Sequence, residues 1–145
     1  MYNELIFVPV YNMLWLSLAV FLFATLLRLK SIVIDKKNKE EDFKIPVFND
    51  GSEMLQNTQR NLTNLFEFPV FFYVICLIIY ATNTVDAYFI LLATWFFWLR
   101  AAHSIVHIFF NKVIPVIAIP VRSLIWIPST LILAWMAYRA CSMVL

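Results

Sequence analysis

Three short sets of polar residues interrupt an otherwise apolar chain, and the spacing of the two longer sets puts each on one helix face. Arg60, Asn64 and Glu67 recur at i, i+4 and i+7. Arg100, His103 and His107 recur at i, i+3 and i+7. Arg122 and Ser123 form the third set. Guanidinium groups grip carboxylates through paired hydrogen bonds, whereas a lone carboxylate such as Glu67 suits an ammonium group. Taken together, the sets would hold a small anion that also carries a positive group. His103 and His107 by themselves are spaced as metal ligands, with Glu67 as a third donor. Three neighbouring arginines oppose a dication, so no metal is expected. Two histidines are also too few for a histidine-rich di-iron oxygenase.

Each set has a plainer structural explanation. Arg60 and Glu67 would pair inside a bundle, and Arg100 would reach the membrane surface along its own stem. The histidines would be hydrogen-bonded packing residues, and Arg122 would cap carbonyls released by Pro120. All of these would have to hold at once, whereas a single polar site accounts for the sets together.

The elements that must position these residues follow from composition. Of 145 residues, 63% are hydrophobic, 17% aromatic and 14% charged, with one glycine and a net charge of +2. Soluble domains average roughly 25% charged residues. So apolar a chain excludes disorder, a basic nucleic-acid-binding face and a disulfide scaffold. It belongs in a bilayer. A helix needs about 20 mostly apolar residues to cross the hydrocarbon core. Four spans are expected, over residues 5–27, 53–81, 86–111 and 113–139, the second built on the apolar run 65–81 and starting earlier, near Ser52 or Glu53. The expected architecture is an all-α integral membrane four-helix bundle in a single domain, 1–145.

The first run has no basic segment ahead of it and no small-residue cleavage site, so it reads as a retained helix. Arg28, Lys30, Lys36, Lys37, Lys39 and Lys44 crowd the loop 28–52, and Lys112 follows the third run. The positive-inside rule places both of these loops in the cytoplasm and the termini outside, with Arg139 as a mild dissent. At a rise of about 1.5 Å per residue, Arg60 lies roughly 10 Å from the cytoplasmic end, His107 roughly 6 Å, His103 roughly 12 Å and Arg122 roughly 13 Å. Three helices thus present polar groups at one level. Cys76 and Cys141 read as unpaired small residues. The sequon Asn61-Leu62-Thr63 lies on a helix entering the membrane and reads as a chance match.

Such a site, open to the cytoplasm and flanked by lipid, suits a water-soluble zwitterionic anion meeting an apolar molecule. Glutathione, with two carboxylates, an ammonium and a thiol, fits the inventory, and so does another small anion.

The order of the motifs carries a resemblance. Arg60-x-x-x-Asn64-x-x-Glu67, followed by Phe68-Pro69, resembles the second-helix signature of the MAPEG family (membrane-associated proteins in eicosanoid and glutathione metabolism). Arg100-x-x-His103-x-x-x-His107 resembles the third-helix motif of the microsomal prostaglandin E synthase branch, with His107 in place of a tyrosine. Pro120-Val121-Arg122-Ser123 is similar to its Pro-x-Arg-Ser stretch, with Trp126 in place of a second tyrosine. The resemblance covers nearly the whole chain and suggests a bacterial-type member in an inner membrane. It departs in the tight Glu67–Pro69 spacing and in a longer connection between His107 and Arg122.

What the resemblance implies is a homotrimer with glutathione bound between subunits in the cytoplasmic half. Arg60, Asn64, Glu67, His103, His107 and Trp126 would surround it, and Arg100 would pair with Glu67 or with a ligand carboxylate. Arg28 and Lys30, at the end of the first helix, match a basic residue that reaches glutathione in the family. Arg122 and Ser123 would lie beside the thiol and favour its anion, since a free thiol is mostly protonated at neutral pH. The thiolate would attack a lipophilic electrophile or a hydroperoxide, which makes the protein a glutathione-dependent transferase or peroxidase. The substituted tyrosine positions favour instead a non-catalytic lipid-binding or scaffold protein of the same fold. A small transporter or channel subunit is a third reading, opposed by the absence of Gly-rich broken helices or inverted repeats.

Overall fold

The computed structural model describes residues 3–34, 52–114 and 119–144. It contains the four expected membrane-spanning helices: α1 (Phe7–Val33), α2 (Glu53–Ala81), α3 (Ala87–Phe109) and α4 (Val121–Val144). A short 3-10 turn, Asn3–Ile6, leads into α1. Pro9 sits in the first turn of α1, where its missing N–H has no helical partner to lose. Ser52 caps α2, its hydroxyl accepting from the Leu55 N–H at 3.3 Å. Asp86 caps α3 by accepting from Phe89 N–H at 2.7 Å.

Two boundaries that bear on the site differ from expectation, and α4 also runs on past 139 to Val144. The first helix runs on to Val33, closed by Ile34 N–H donating to Lys30 O at 2.9 Å. Arg28 and Lys30 are therefore helical residues, not loop residues, because no glycine or proline interrupts the chain there. Positions 35–51 of the expected loop lie outside the described residues. The fourth helix begins at Val121 and not at 113. A two-residue antiparallel ladder precedes it, β1 (Val113–Ile114) with β2 (Ile119–Pro120), in register Val113 to Pro120 and Ile114 to Ile119. Pro120 supplies no N–H and disfavours helical backbone at the residue before it, so the helix starts only after it. Arg122 accordingly lies in the first turn of α4, and its expected depth of roughly 13 Å along a helix does not apply.

Inside the bundle, Met13, Phe72, Ile79, Phe89, Phe96 and Met136 are fully or almost fully buried. Phe72 of α2 and Phe96 of α3 stack at 4.7 Å. Large apolar residues such as Trp15, Leu26, Phe71, Trp98 and Leu131 point outward. Lipid is as apolar as these side chains, so packing comes from close contact and not from expulsion of water. Small buried residues, Ser17, Ala24, Ala93 and Ala140, allow that close approach. At the end opposite the ladder, Asp86 also receives the Arg139 guanidinium, which lies 5.0 Å over the Tyr88 ring. This clamp joins the start of α3 to the end of α4.

Candidate functional site

The amino-terminal half of α2, the carboxy-terminal half of α3 and the first two turns of α4 converge on one cavity of about 500 Å³. From α2 it takes Arg60, Thr63, Asn64 and Glu67. From α3 come His103 and His107, and from α4 come Arg122, Ser123 and Trp126. A volume of this size lies in the range of small-ligand sites. Two guanidiniums face it against one carboxylate, so the lining carries an excess of positive charge.

The two imidazoles are almost fully buried, and their ring centres are 5.5 Å apart. His103 Nδ1 lies 3.0 Å from the carbonyl oxygen of Arg122. A carbonyl only accepts, so Nδ1 carries the hydrogen, and in the neutral ring Nε2 is left as an acceptor. Among the described residues neither His103 Nε2 nor His107 Nδ1 has a protein partner. Buried polar atoms are normally satisfied; both rings border the cavity, but these two nitrogens are themselves enclosed behind its surface. Trp126 is braced from behind by Phe68, edge to face at 5.3 Å. The amino terminus of α4 borders the cavity at Arg122 and Ser123, adding the positive end of a helix dipole.

Three expected residues stand elsewhere. Arg100 is almost fully buried and donates from Nη2 to the backbone carbonyl of Asn64 at 2.8 Å. Among the described residues it pairs with no carboxylate, and it is not part of this cavity's lining. Enclosed so deeply, a guanidinium needs an acceptor at hand, and the α2 backbone supplies it, making Arg100 a strut between α3 and α2. Arg28 lines an adjoining cavity of about 350 Å³, which it shares with Arg60 and Thr63. Lys30 is exposed on α1 and lines neither cavity. Asn61 of the sequon is fully buried, which leaves no room for a glycan.

Sequence reasoning missed Thr63, Asn57 and Asn111. Thr63 and Asn57 continue the polar face of α2 one position before Asn64 and one turn before Arg60, a signal that was legible. Asn111 sits in the connector, where no periodicity marks it. Arg122 Nη1 donates to Asn111 Oδ1, and Asn111 Nδ2 donates to Asn57 Oδ1 at 2.9 Å.

Arg60, Asn64, Glu67, His103, His107, Arg122 and Ser123, from three separate motifs, thus line a single space. The model of the MAPEG family matches residues 6–142. The chain belongs to the MAPEG family. No curated protein and no solved structure matches it. As a MAPEG protein it is an integral membrane protein of a family concerned with eicosanoid and glutathione metabolism. Within this MAPEG chain, His107 and Trp126 both line the cavity.

Proposed function

We propose that this MAPEG protein is a glutathione-dependent transferase or peroxidase, nearest the microsomal prostaglandin E synthase and glutathione transferase branch and bacterial in type. The observation that carries the proposal is the cavity shared by α2, α3 and α4, with two arginines, one glutamate and two imidazoles. Glutathione presents two carboxylates for guanidiniums and one ammonium for a carboxylate, which is the complement of that lining.

In this reading Arg60 and Asn64 hold the peptide end and Glu67 takes the ammonium. Arg122, with the Ser123 hydroxyl, stabilises the thiolate in a site of low dielectric. His103 and His107 supply the remaining polar contacts, and Trp126 closes the wall towards lipid. The thiolate then attacks an electrophile or a hydroperoxide that arrives from the bilayer. No metal enters the scheme.

A homotrimer completes it. Arg60 and Glu67 are exposed on α2 in the single chain, beside outward-facing Phe66, Val70 and Phe71. Glu67 is fourteen residues into the helix, about 20 Å along it. A charge facing lipid at that depth costs about 3 kcal/mol, and a neighbouring copy removes the cost by enclosing the site. Arg28 lines the adjoining cavity beside Arg60, and in the trimer that cavity would border a second copy. The site opens to the cytoplasm, on the side that the basic residues assign.

The test is calorimetry of glutathione binding to the detergent-purified protein, with an ultraviolet difference spectrum on the same sample. Micromolar to low-millimolar binding with a thiolate band is the expected result. Binding without the band would make this a non-catalytic member of the fold, and no binding would overturn the glutathione reading.

A further inference from the structure

The guanidinium of Arg122 is gripped from outside the cavity it lines. Asn111, between α3 and β1, accepts from Arg122 Nη1 through Oδ1 and donates from Nδ2 to Asn57 Oδ1 at 2.9 Å. Asn57 is buried on α2, so the grip is anchored in a membrane helix. One amide therefore uses its acceptor on the arginine and a donor on α2, and the two partners together dictate its orientation. Asn111 does not line the 500 Å³ cavity; with Asn57 and Glu53 it lines a separate one of about 190 Å³. It is placed to act on a ligand only through Arg122.

The backbone holds the same turn. Val121 N–H donates to Lys112 O at 3.0 Å, and the Arg122 carbonyl faces His103 Nδ1. A guanidinium has five N–H donors, so one bond to Asn111 leaves the others for the cavity. Because the amide is neutral, it fixes the group without cancelling its charge, whereas a carboxylate there would do both. An unheld arginine samples many rotamers and presents its charge to the cavity only part of the time.

We propose that Asn111 is a positioning residue, holding the Arg122 guanidinium at the cavity in a fixed orientation while leaving its positive charge intact. The proposal rests on the thiol-stabilising role given to Arg122 above and extends it to a residue in the connector. Electrostatic stabilisation depends on such preorganisation, since a group that must first be ordered gives back part of its effect.

The test compares Asn111→Ala and Asn111→Asp with the unsubstituted protein in detergent. One readout is the pH at which the thiolate absorbance of bound glutathione appears. The other is the nitrogen NMR spectrum of arginine side chains, with the Arg122 signals identified by their loss in Arg122→Lys. Asn111→Ala is expected to merge the resolved Arg122 signals into one average. It should also raise the thiolate midpoint by about one pH unit, the tenfold effect of a weakened charged hydrogen bond, with affinity for S-methylglutathione unchanged. Asn111→Asp should keep the Arg122 signals resolved yet raise the midpoint, because the carboxylate cancels the charge it holds. An unshifted midpoint in Asn111→Ala overturns the proposal. An equal loss of S-methylglutathione affinity overturns it too, since that marks a merely structural role. Absence of a thiolate band in the unsubstituted protein would instead refute the thiol-stabilising role given to Arg122, not glutathione binding. The arginine spectrum then decides the tether by itself: unchanged signals in Asn111→Ala overturn it, and merged signals uphold it.

Discussion

Arg122 meets the cavity with its guanidinium, His103 with its backbone carbonyl and Asn111 with one of its N–H groups, so a single residue links the α4 start to α3 and the connector. If its charge stabilises the thiolate, Arg122→Ala should abolish the thiolate band of bound glutathione while largely preserving affinity. A retained band in that variant would remove Arg122 from the activation step. Glu67 has a different task. Among the described residues it is the one carboxylate on the cavity wall, and in the proposed reading its loss would leave the ammonium of glutathione without a partner. Glu67→Ala should weaken glutathione binding tenfold or more, roughly the cost of one buried charged contact, as calorimetry would read. Unaltered affinity would return Glu67 to a purely structural role. Arg100 is a caution at the same scale: it shares a helix face with both histidines, yet its long stem carries the charge to the Asn64 carbonyl instead.

Among the elements, the connector between α3 and α4 has the greatest influence on the site. The ladder of β1 and β2 and the bond from Val121 to Lys112 bring the start of α4 beside the end of α3. Arg122 consequently reaches the cavity from the first turn of a helix, where free N–H groups and the dipole also favour an anion. The other ends of the same two helices are joined by Asp86, which caps α3 and receives Arg139. Both groups of that pair are partly exposed, so the ion pair itself contributes little, while the cap contributes about 1 kcal/mol. Asp86→Ala should lower stability in detergent by about 1–2 kcal/mol and leave glutathione affinity unchanged, because the clamp and the cavity lie at opposite ends of α3. Thermal denaturation alongside calorimetry checks both halves of this expectation. A loss of affinity equal to the loss of stability would show that the clamp sets the geometry of the whole bundle.

For the whole molecule, the issue is what covers α2. Its outward face carries Arg60, Thr63 and Glu67 and then passes into Val70, Phe71 and Val74. Lipid suits the second group and not the first. The proposed trimer would resolve the conflict by packing around this face, with Arg28 and Arg60 of the adjoining cavity inside the assembly. Chemical cross-linking in mild detergent should produce a ladder ending at three copies. A monodisperse monomer that still binds glutathione would show that one chain suffices and that Glu67 is shielded some other way.

The sequence by itself determined that this chain lives in a membrane, how many helices cross it and which faces of the second and third are polar. Those properties depend on hydrophobic length and on the 3.6-residue period, and both are local. Ser52, a residue type that caps helices, likewise marks the start of α2, ahead of the apolar run that begins at Leu65. Tertiary structure decided the rest. Whether Arg100 turns to the ligand or to a backbone carbonyl depends on which acceptor the neighbouring helix offers. The delayed start of α4 depends on Pro120 and on pairing between β1 and β2, which a hydropathy run through 113–120 conceals. The grip of Asn111 on Arg122 joins residues from a connector, α2 and α4, and only the folded bundle brings the three together.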